Sequence, residues 1–283
     1  MSGLLEGSGQ TATNGQVVAP WLFALDMDGT LLGPDKRVSR RNADALASLV
    51  AAGHHAVAVT GRSRRSALPL LEGTSAIELV AGSNGAYLHR IASGALEWSH
   101  PIPVEQAGLW VETVRAHLPE ASLGWESEAG IVYEPAFLEL VGDPATIDPG
   151  VAGEAPLPGA LYKLFLRTPR VTGGELQRLV ATLLGGAAEV STSGVPFVEM
   201  TMAGVDKGAA LERVAELLGV PLERTAVFGD NLNDVPMFRR AGTGVAMGNA
   251  VAEVRALADR VAPSNADDGV AAVIEAWLRD GTF

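Results

Sequence analysis

The stretch Leu25-Asp26-Met27-Asp28-Gly29-Thr30, "LDMDGT", follows the apolar run "WLFA" and ends it with two carboxylates two residues apart. Nearby carboxylates repel, and each loses solvation when partly buried, so one is driven to protonate unless positive charge is held beside them. The plainer alternative is an Asp-Gly turn at the surface. What lies at the ends of the other apolar runs decides between the two.

Working outward, "VVAPWLFAL" (17–25) reads as a buried strand and "SRRNADALASLVAAG" (39–53) as a helix, with Ser39 as N-cap and Gly53 past its end. "HAVAVT" (55–60) is a strand, "SRRSALPLLEG" (63–73) a short helix interrupted near Pro69, and "AIELVAGS" (76–83) a strand. Apolar strands separated by helices imply an α/β fold with a Rossmann-like parallel sheet covered on both faces. Right-handed crossovers then bring the strand C-termini to one edge. The alternation resumes with helix "KGAALERVAELLG" (207–219), strand "TAVFG" (225–229) and further strand–helix pairs to the C-terminus.

Between these halves the texture changes. Two hairpin-like segments, "AYLHRIASGALEWSH" (86–100) and "AEVSTSGVPFVEMTM" (188–202), bracket helices, strands and a loop rich in Pro, Gly and Asp. An α+β module inserted over 86–200 is expected, with the core at 17–85 and 201–283. Asn84-Gly85 would form its hinge or entrance. The polar "MSGLLEGSGQTATNGQ" (1–16) is expected to be a disordered tail, with neither the basic start nor the apolar centre of a secretory signal.

Bulk properties narrow the chemistry. The 283 residues suit about two domains, and 47% hydrophobic content supplies a core. A formal charge of −12 argues against nucleic-acid binding by phosphate neutralisation, although one local basic cluster would hold a small anion. With no cysteine, disulfides, thiolate metal sites and Cys nucleophiles are excluded. No apolar stretch reaches the ~18–20 residues that span a bilayer. A cytoplasmic protein, monomer or homodimer, is the expectation.

The loops at the sheet edge carry the chemistry. After the first strand come Asp26 and Asp28. After "HAVAV" come Thr60-Gly61-Arg62, before the helix at 207 stands Lys207, and after "TAVF" come Gly229-Asp230-Asn231 and then Asn233-Asp234. If the sheet is parallel these groups converge where open α/β sheets bind ligands. Hard oxygen ligands without His or Cys suit Mg²⁺, and Thr60, Lys207, Asn233 and loop N–H groups suit phosphate oxygens. A cation keeps Asp26, Asp28 and Asp230 ionised together. Lys207 at a helix N-terminus is opposed by the helix dipole, which makes sense if an anion shares the site.

"DMDGT", Thr60, Lys207 and "GDNLND" together resemble, in order and context, the four motifs of the haloacid dehalogenase superfamily. The insert between the second and third motifs, "SNGA" at its entrance and "NADDGVA" near the C-terminus resemble the Cof-type sugar-phosphatase group with a C2B cap. The likeness covers nearly the whole chain after about residue 20. "GVDKGAAL" has Asp206 where many relatives have Ser, a departure that leaves Lys207 intact. The resemblance implies that Asp26 is the nucleophile giving an aspartyl-phosphate, and Asp28 the general acid and then base. It implies Mg²⁺ on Asp26, the Asp28 carbonyl and Asp230. The phosphoryl group would be held by Thr60, the Met27 and Gly61 N–H groups, Lys207 and Asn233, with Asp234 supporting Lys207 or the metal. A second Asp after the nucleophile supplies the acid and base that ester hydrolysis needs. A Mg²⁺-dependent phosphatase of small phosphorylated metabolites, sugar phosphates among them, is therefore expected. A phosphohexomutase with the same core chemistry and a non-catalytic module binding a phosphorylated metabolite are the alternatives.

Elsewhere the plainer readings are favoured. His54, His55, His89, His100 and His117 are read as structural or surface groups, and Trp98, Trp110 and Trp125 as packing for the insert. The acidic loop Asp143–Glu154 is read as a solvated connector, and Arg62 as an anchor of its own loop.

Overall fold

A computed structural model describes residues 19–143, 147–154, 156–192 and 195–280. The tail expected at 1–16 lies outside the described residues. The first sheet contains β1 (Leu22–Leu25), β2 (His55–Val59), β3 (Ile77–Gly82), β4 (Tyr87–Arg90) and β5 (Leu96–Ser99). The insert supplies β6 (Ile102–Pro103), β7 (Ser122–Ser127), β8 (Gly130–Tyr133), β9 (Val151–Ala152), β10 (Ala160–Leu161), β11 (Lys163–Arg167), β12 (Ala188–Ser191) and β13 (Val198–Met202). The chain then returns through β14 (Thr225–Gly229), β15 (Thr243–Ala246) and β16 (Arg260–Val261).

The strand order β16-β15-β14-β1-β2-β3-β4-β5 gives eight strands. From β16 to β3 every pairing is parallel. All four residues of β1 are buried, as expected of a strand covered on both faces. Alternate side chains serve different cores. Phe23 and Leu25 pack with α1 (Arg40–Ala51) and α9 (Gly269–Asp280), whereas Leu22 and Ala24 face α6 (Lys207–Leu218) through Leu211 and Val214. Ser39 caps α1 by accepting from the Asn42 N–H, as its sequence position predicts.

One expectation is corrected. The hairpin at 86–100 forms β4 and β5, but β4 pairs antiparallel with β3 and so extends the first sheet rather than the insert's sheet. Trp98 accordingly belongs to the α6-side core, with the Arg213 guanidinium 5.4 Å from its ring centre, while Trp110 and Trp125 do pack the insert. The β-turn residues made the hairpin legible; which sheet it would join depends on pairing distant in sequence.

The insert's main sheet has the order β12-β13-β11-β7-β8-β9. One face carries Leu164, Leu166, Val198 and Met200 into a core shared with α3 (Val104–His117) and α5 (Gly173–Leu184). Residues on the other face alternate with these, and they include Lys163, Phe165, Phe197 and Glu199. All four line a cavity against the C-terminal edge of the first sheet.

Candidate active site

Asp26, at the end of β1, is pinned by its backbone N–H to the Phe228 carbonyl at 3.0 Å, which ties the loop after β1 to that after β14. Lys207, the first residue of α6, is completely buried and donates to Asp26 Oδ1 at 2.5 Å and Asp234 Oδ1 at 2.6 Å. Burial disfavours its charge, but Asp234 and Asp26 outweigh that and hold its pKa above the ordinary value. Asp206 caps α6 by accepting from the Ala209 N–H at 2.6 Å, and it also accepts from Arg240. The helix start that would repel the Lys207 cation is thus answered by three carboxylates.

Asp234 Oδ2 accepts from the N–H groups of Asp230 and Asn231, at 2.9 and 3.0 Å. Both oxygens of Asp234 are therefore occupied with shaping the loop and holding Lys207. Asp230 accepts from the Thr30 hydroxyl at 3.3 Å. Asn249, which the sequence reading did not single out, donates to the Gly29 carbonyl at 2.8 Å and lies 3.5 Å from Asp230 Oδ2. Gly29 has φ +76, and a Cβ there would stand 2.3 Å from Asp230 Oδ2, so the first motif approaches the fourth more closely than a side chain allows.

Oxygens of Asp26, Asp230 and Asp234 lie within 4.8 Å of one another. Burial raises the Asp26 pKa, and Asp234 and Asp230 add to this against Lys207. Burial and Asp234 likewise push Asp230 up to about 6. One ammonium shared among three carboxylates leaves a deficit of positive charge, and the donors are all hard oxygen. This set fits a divalent cation.

Thr60 and Asn233 face the same cavity, whose volume is about 420 Å³. The Thr60 hydroxyl accepts from the Arg62 N–H at 3.1 Å, which leaves its own O–H to donate. Asn233 donates to Asn84 Oδ1 at 3.3 Å. Met27 is fully buried, and its carbonyl accepts from the Leu32 N–H at 2.8 Å. Thus Asp26, Asp28, Thr60, Gly61, Lys207, Asp230, Asn233 and Asp234 meet at one edge, as their positions after strands predicted.

Three features depart from the expectations. Arg62, read as a loop anchor, grips Asp28 through Nε at 2.5 Å and Nη2 at 2.8 Å, and Lys36 adds a contact of 2.7 Å. Burial pushes the Asp28 carboxyl up, but Arg62 and Lys36 together hold it below its ordinary value. Asp148, placed in a solvated connector, instead accepts from the Ser63 N–H and the Ser66 hydroxyl, both at 2.5 Å, and lies 3.6 Å from Arg62. It docks at the start of α2 (Arg64–Leu70), where unpaired N–H groups favour a carboxylate. Lys163 and Glu199 were missed. Their sequence signal is a charged residue set among apolar ones, in "LYKLFLRT" and "PFVEMTM".

Comparison with known proteins agrees with this geometry. Residues 23–274 match the family model of the haloacid dehalogenase-like hydrolases. A pyridoxal phosphate phosphatase of Escherichia coli is 30% identical, over 91% of this chain and 98% of its own. A 5-amino-6-(5-phospho-D-ribitylamino)uracil phosphatase of Bacillus subtilis is 27% identical, over 91% of this chain and 95% of its own. The solved structure of a haloacid dehalogenase-like hydrolase from Bacteroides thetaiotaomicron superposes with a TM-score of 0.75 at 27% identity, covering 91% of this chain and 99% of that one. The chain belongs to the haloacid dehalogenase-like hydrolases. It is an enzyme of their Cof-type phosphatase branch, and enzymes of this family generally use a divalent metal.

Proposed function

We propose that the chain hydrolyses phosphomonoesters of small metabolites, sugar phosphates among them, with Mg²⁺ as its cation and Asp26 as its nucleophile. The observation that carries this reading is the buried Lys207 ammonium joining Asp26 to Asp234, with Asp230 alongside, at the edge where parallel strands end. Lys207 engages Asp26 Oδ1, so Oδ2 is the oxygen presented to the ester. Its attack on phosphorus forms an aspartyl-phosphate and breaks the bond to the leaving alkoxide, which takes a proton from Asp28. Asp28 then accepts a proton from a water molecule as that water attacks phosphorus, which frees Asp26 and inorganic phosphate.

Mg²⁺ on Asp26, the Asp28 carbonyl and Asp230 would neutralise charge on the carboxylates and the phosphoryl oxygens. Lys207, the Thr60 O–H, Asn233 and the Met27 and Gly61 N–H groups orient the phosphoryl group, in keeping with the positioning and electrostatics by which phosphoryl transfer is catalysed. Asp234 supports Lys207 and the 230 loop. With Arg62 and Lys36 on its carboxylate, Asp28 is stored as an anion, so its acid role requires that an arriving ester take over one of those partners.

Beyond the phosphoryl site Phe165 and Phe197 line the cavity. This suits a compact leaving group with an apolar face. Two of the relatives act on a phosphorylated ring compound, in keeping with that size. The test is release of inorganic phosphate with Mg²⁺ across sugar phosphates, nucleotides and phosphorylated acids, with Asp26→Asn as control. Release that survives in Asp26→Asn would refute the nucleophile, and sugar isomerisation without release would indicate a mutase.

A further inference from the structure

On the phosphatase reading above, we infer that Lys163 and Glu199 are positioning residues, which complete the phosphoryl site only when the cap sheet is docked on the core. Lys163 is 1% exposed and lies on β11; its ammonium donates to the Gly61 carbonyl at 2.5 Å and to Glu199 Oε1 at 2.7 Å. Glu199, 5% exposed on β13, accepts at Oε2 from Asn84 at 2.8 Å. Asn84 in turn accepts from Asn233 at 3.3 Å. An unbroken line of hydrogen bonds therefore runs from Gly61 through two cap residues to Asn233.

Each end of that line is a phosphoryl contact. The peptide joining Gly61 to Arg62 is held from both sides, its carbonyl by Lys163 and its N–H by the Thr60 hydroxyl. Fixing this peptide fixes the direction in which the Thr60 O–H donates. At the other end, Asn84 occupies the Asn233 amide and so sets its rotamer. Asn84 has φ 56, a left-handed backbone that asparagine tolerates, and its side chain stands between Asn233 and Glu199. A Cβ on Gly61 would lie 3.1 Å from Asn84 Oδ1 and 3.7 Å from Asn233 Nδ2, so the two ends of the line lie close together.

The charges favour the link. Burial disfavours the Lys163 ammonium, but Glu199, Glu126 and Asp148 outweigh it. With the cap lifted, Lys163 and Glu199 regain water, and Gly61 and Asn84 lose their partners together. Small misplacements of catalytic groups carry large rate penalties, so docking of the cap is read out at the phosphoryl group itself rather than only at the leaving group.

The test is calorimetric titration of inorganic phosphate into the full chain with magnesium present, for wild type, Glu199→Gln, Lys163→Met, the double variant and Asn84→Gly. Glycine accepts the backbone of Asn84 and leaves the ion pair in place, so this variant keeps the test available if a charge variant fails to fold. The dissociation constant is expected to rise about tenfold in each folded single variant, and no further in the double variant, as for groups acting in one line. Folded variants that bind phosphate like wild type, with changes only in KM for bulkier esters, would overturn the inference and make the pair a leaving-group contact. Wild-type protein that binds phosphate yet releases none from any ester would sink the phosphatase reading alone; wild-type protein that binds no phosphate would overturn both.

Discussion

The guanidinium of Arg62 spans both carboxylate oxygens of Asp28, and the Arg62 backbone N–H donates to the Thr60 hydroxyl. One residue thus orients two groups assigned to the phosphoryl transfer. Removing the fork should misdirect both. Arg62→Ala is expected to lower kcat about tenfold or more with a smaller change in KM. Arg62→Lys should recover little, because a single ammonium cannot bridge two oxygens in a planar fork. Steady-state kinetics on a small ester check this, and a fully active Arg62→Ala would show that the pairing is incidental.

Magnesium should stabilise the fold through the carboxylate cluster. A ligand that binds only the native state at one hundred times its dissociation constant adds about 2.7 kcal/mol. The thermal midpoint is expected to rise with magnesium concentration and to fall back with a chelator. Asp230→Asn should abolish the rise, and a rise that persists in it would place the cation elsewhere.

Lys207→Met should destabilise the chain by about 3–5 kcal/mol, the usual consequence of leaving buried charge unpartnered. The loss should shrink when Asp234→Asn is added, since one of the abandoned carboxylates is then gone. Denaturant unfolding of the single and double variants measures this.

Gly29→Ala tests the contact between the first and fourth motifs. Its left-handed backbone and the Asp230 carboxylate beside it both oppose a Cβ. A stability loss of at least about 1 kcal/mol is expected, together with weaker magnesium binding because Asp230 must move. Unchanged magnesium affinity would mean that Asp230 is not a ligand.

Glu126 sets a pH dependence away from the carboxylate cluster. Burial raises its carboxyl to about 7, against Lys163 and the hydroxyls of Ser83 and Tyr87, while Asp148 adds to the rise. In the folded chain it keeps a proton that the unfolded chain releases near the ordinary 4.5. Its contribution to stability is therefore present below that value and is lost as pH climbs through about 7, by roughly 3 kcal/mol at about 1.4 kcal/mol per unit. Glu126→Gln should flatten the fall in thermal midpoint between about pH 5 and pH 8; an unaltered slope would refute the assignment.

The candidate site was legible because most of its residues sit immediately after apolar strands, and a parallel sheet can only bring such loops together. Asp26, Thr60 and Asp230 needed nothing more. Asp206 looked like a departure and proved to be the cap of α6, a role its position before Lys207 already allowed. Asp148 was not legible, since a loop residue's partner depends on where the loop lands. Lys163 and Glu199 show the limit most clearly: alternation tells which residues share a sheet face, but not what that face will meet. The fate of β4 and β5 had the same cause.

Those two strands have an architectural consequence. The β3-β4-β5 side of the large sheet is finished before the chain leaves it, and the departing Ser99 and His100 run beside Tyr87 and Ala86, which pack with Val205 of the returning segment in a small buried cluster. The intervening hundred or so residues thus behave as a cassette with adjoining ends. A short connector in its place would leave all eight strands of the sheet and all the carboxylate loops at its edge. Such a trimmed chain would be a minimal scaffold onto which caps from other members of the family could be spliced, provided each brought its own counterpart of the Lys163–Glu199 bridge.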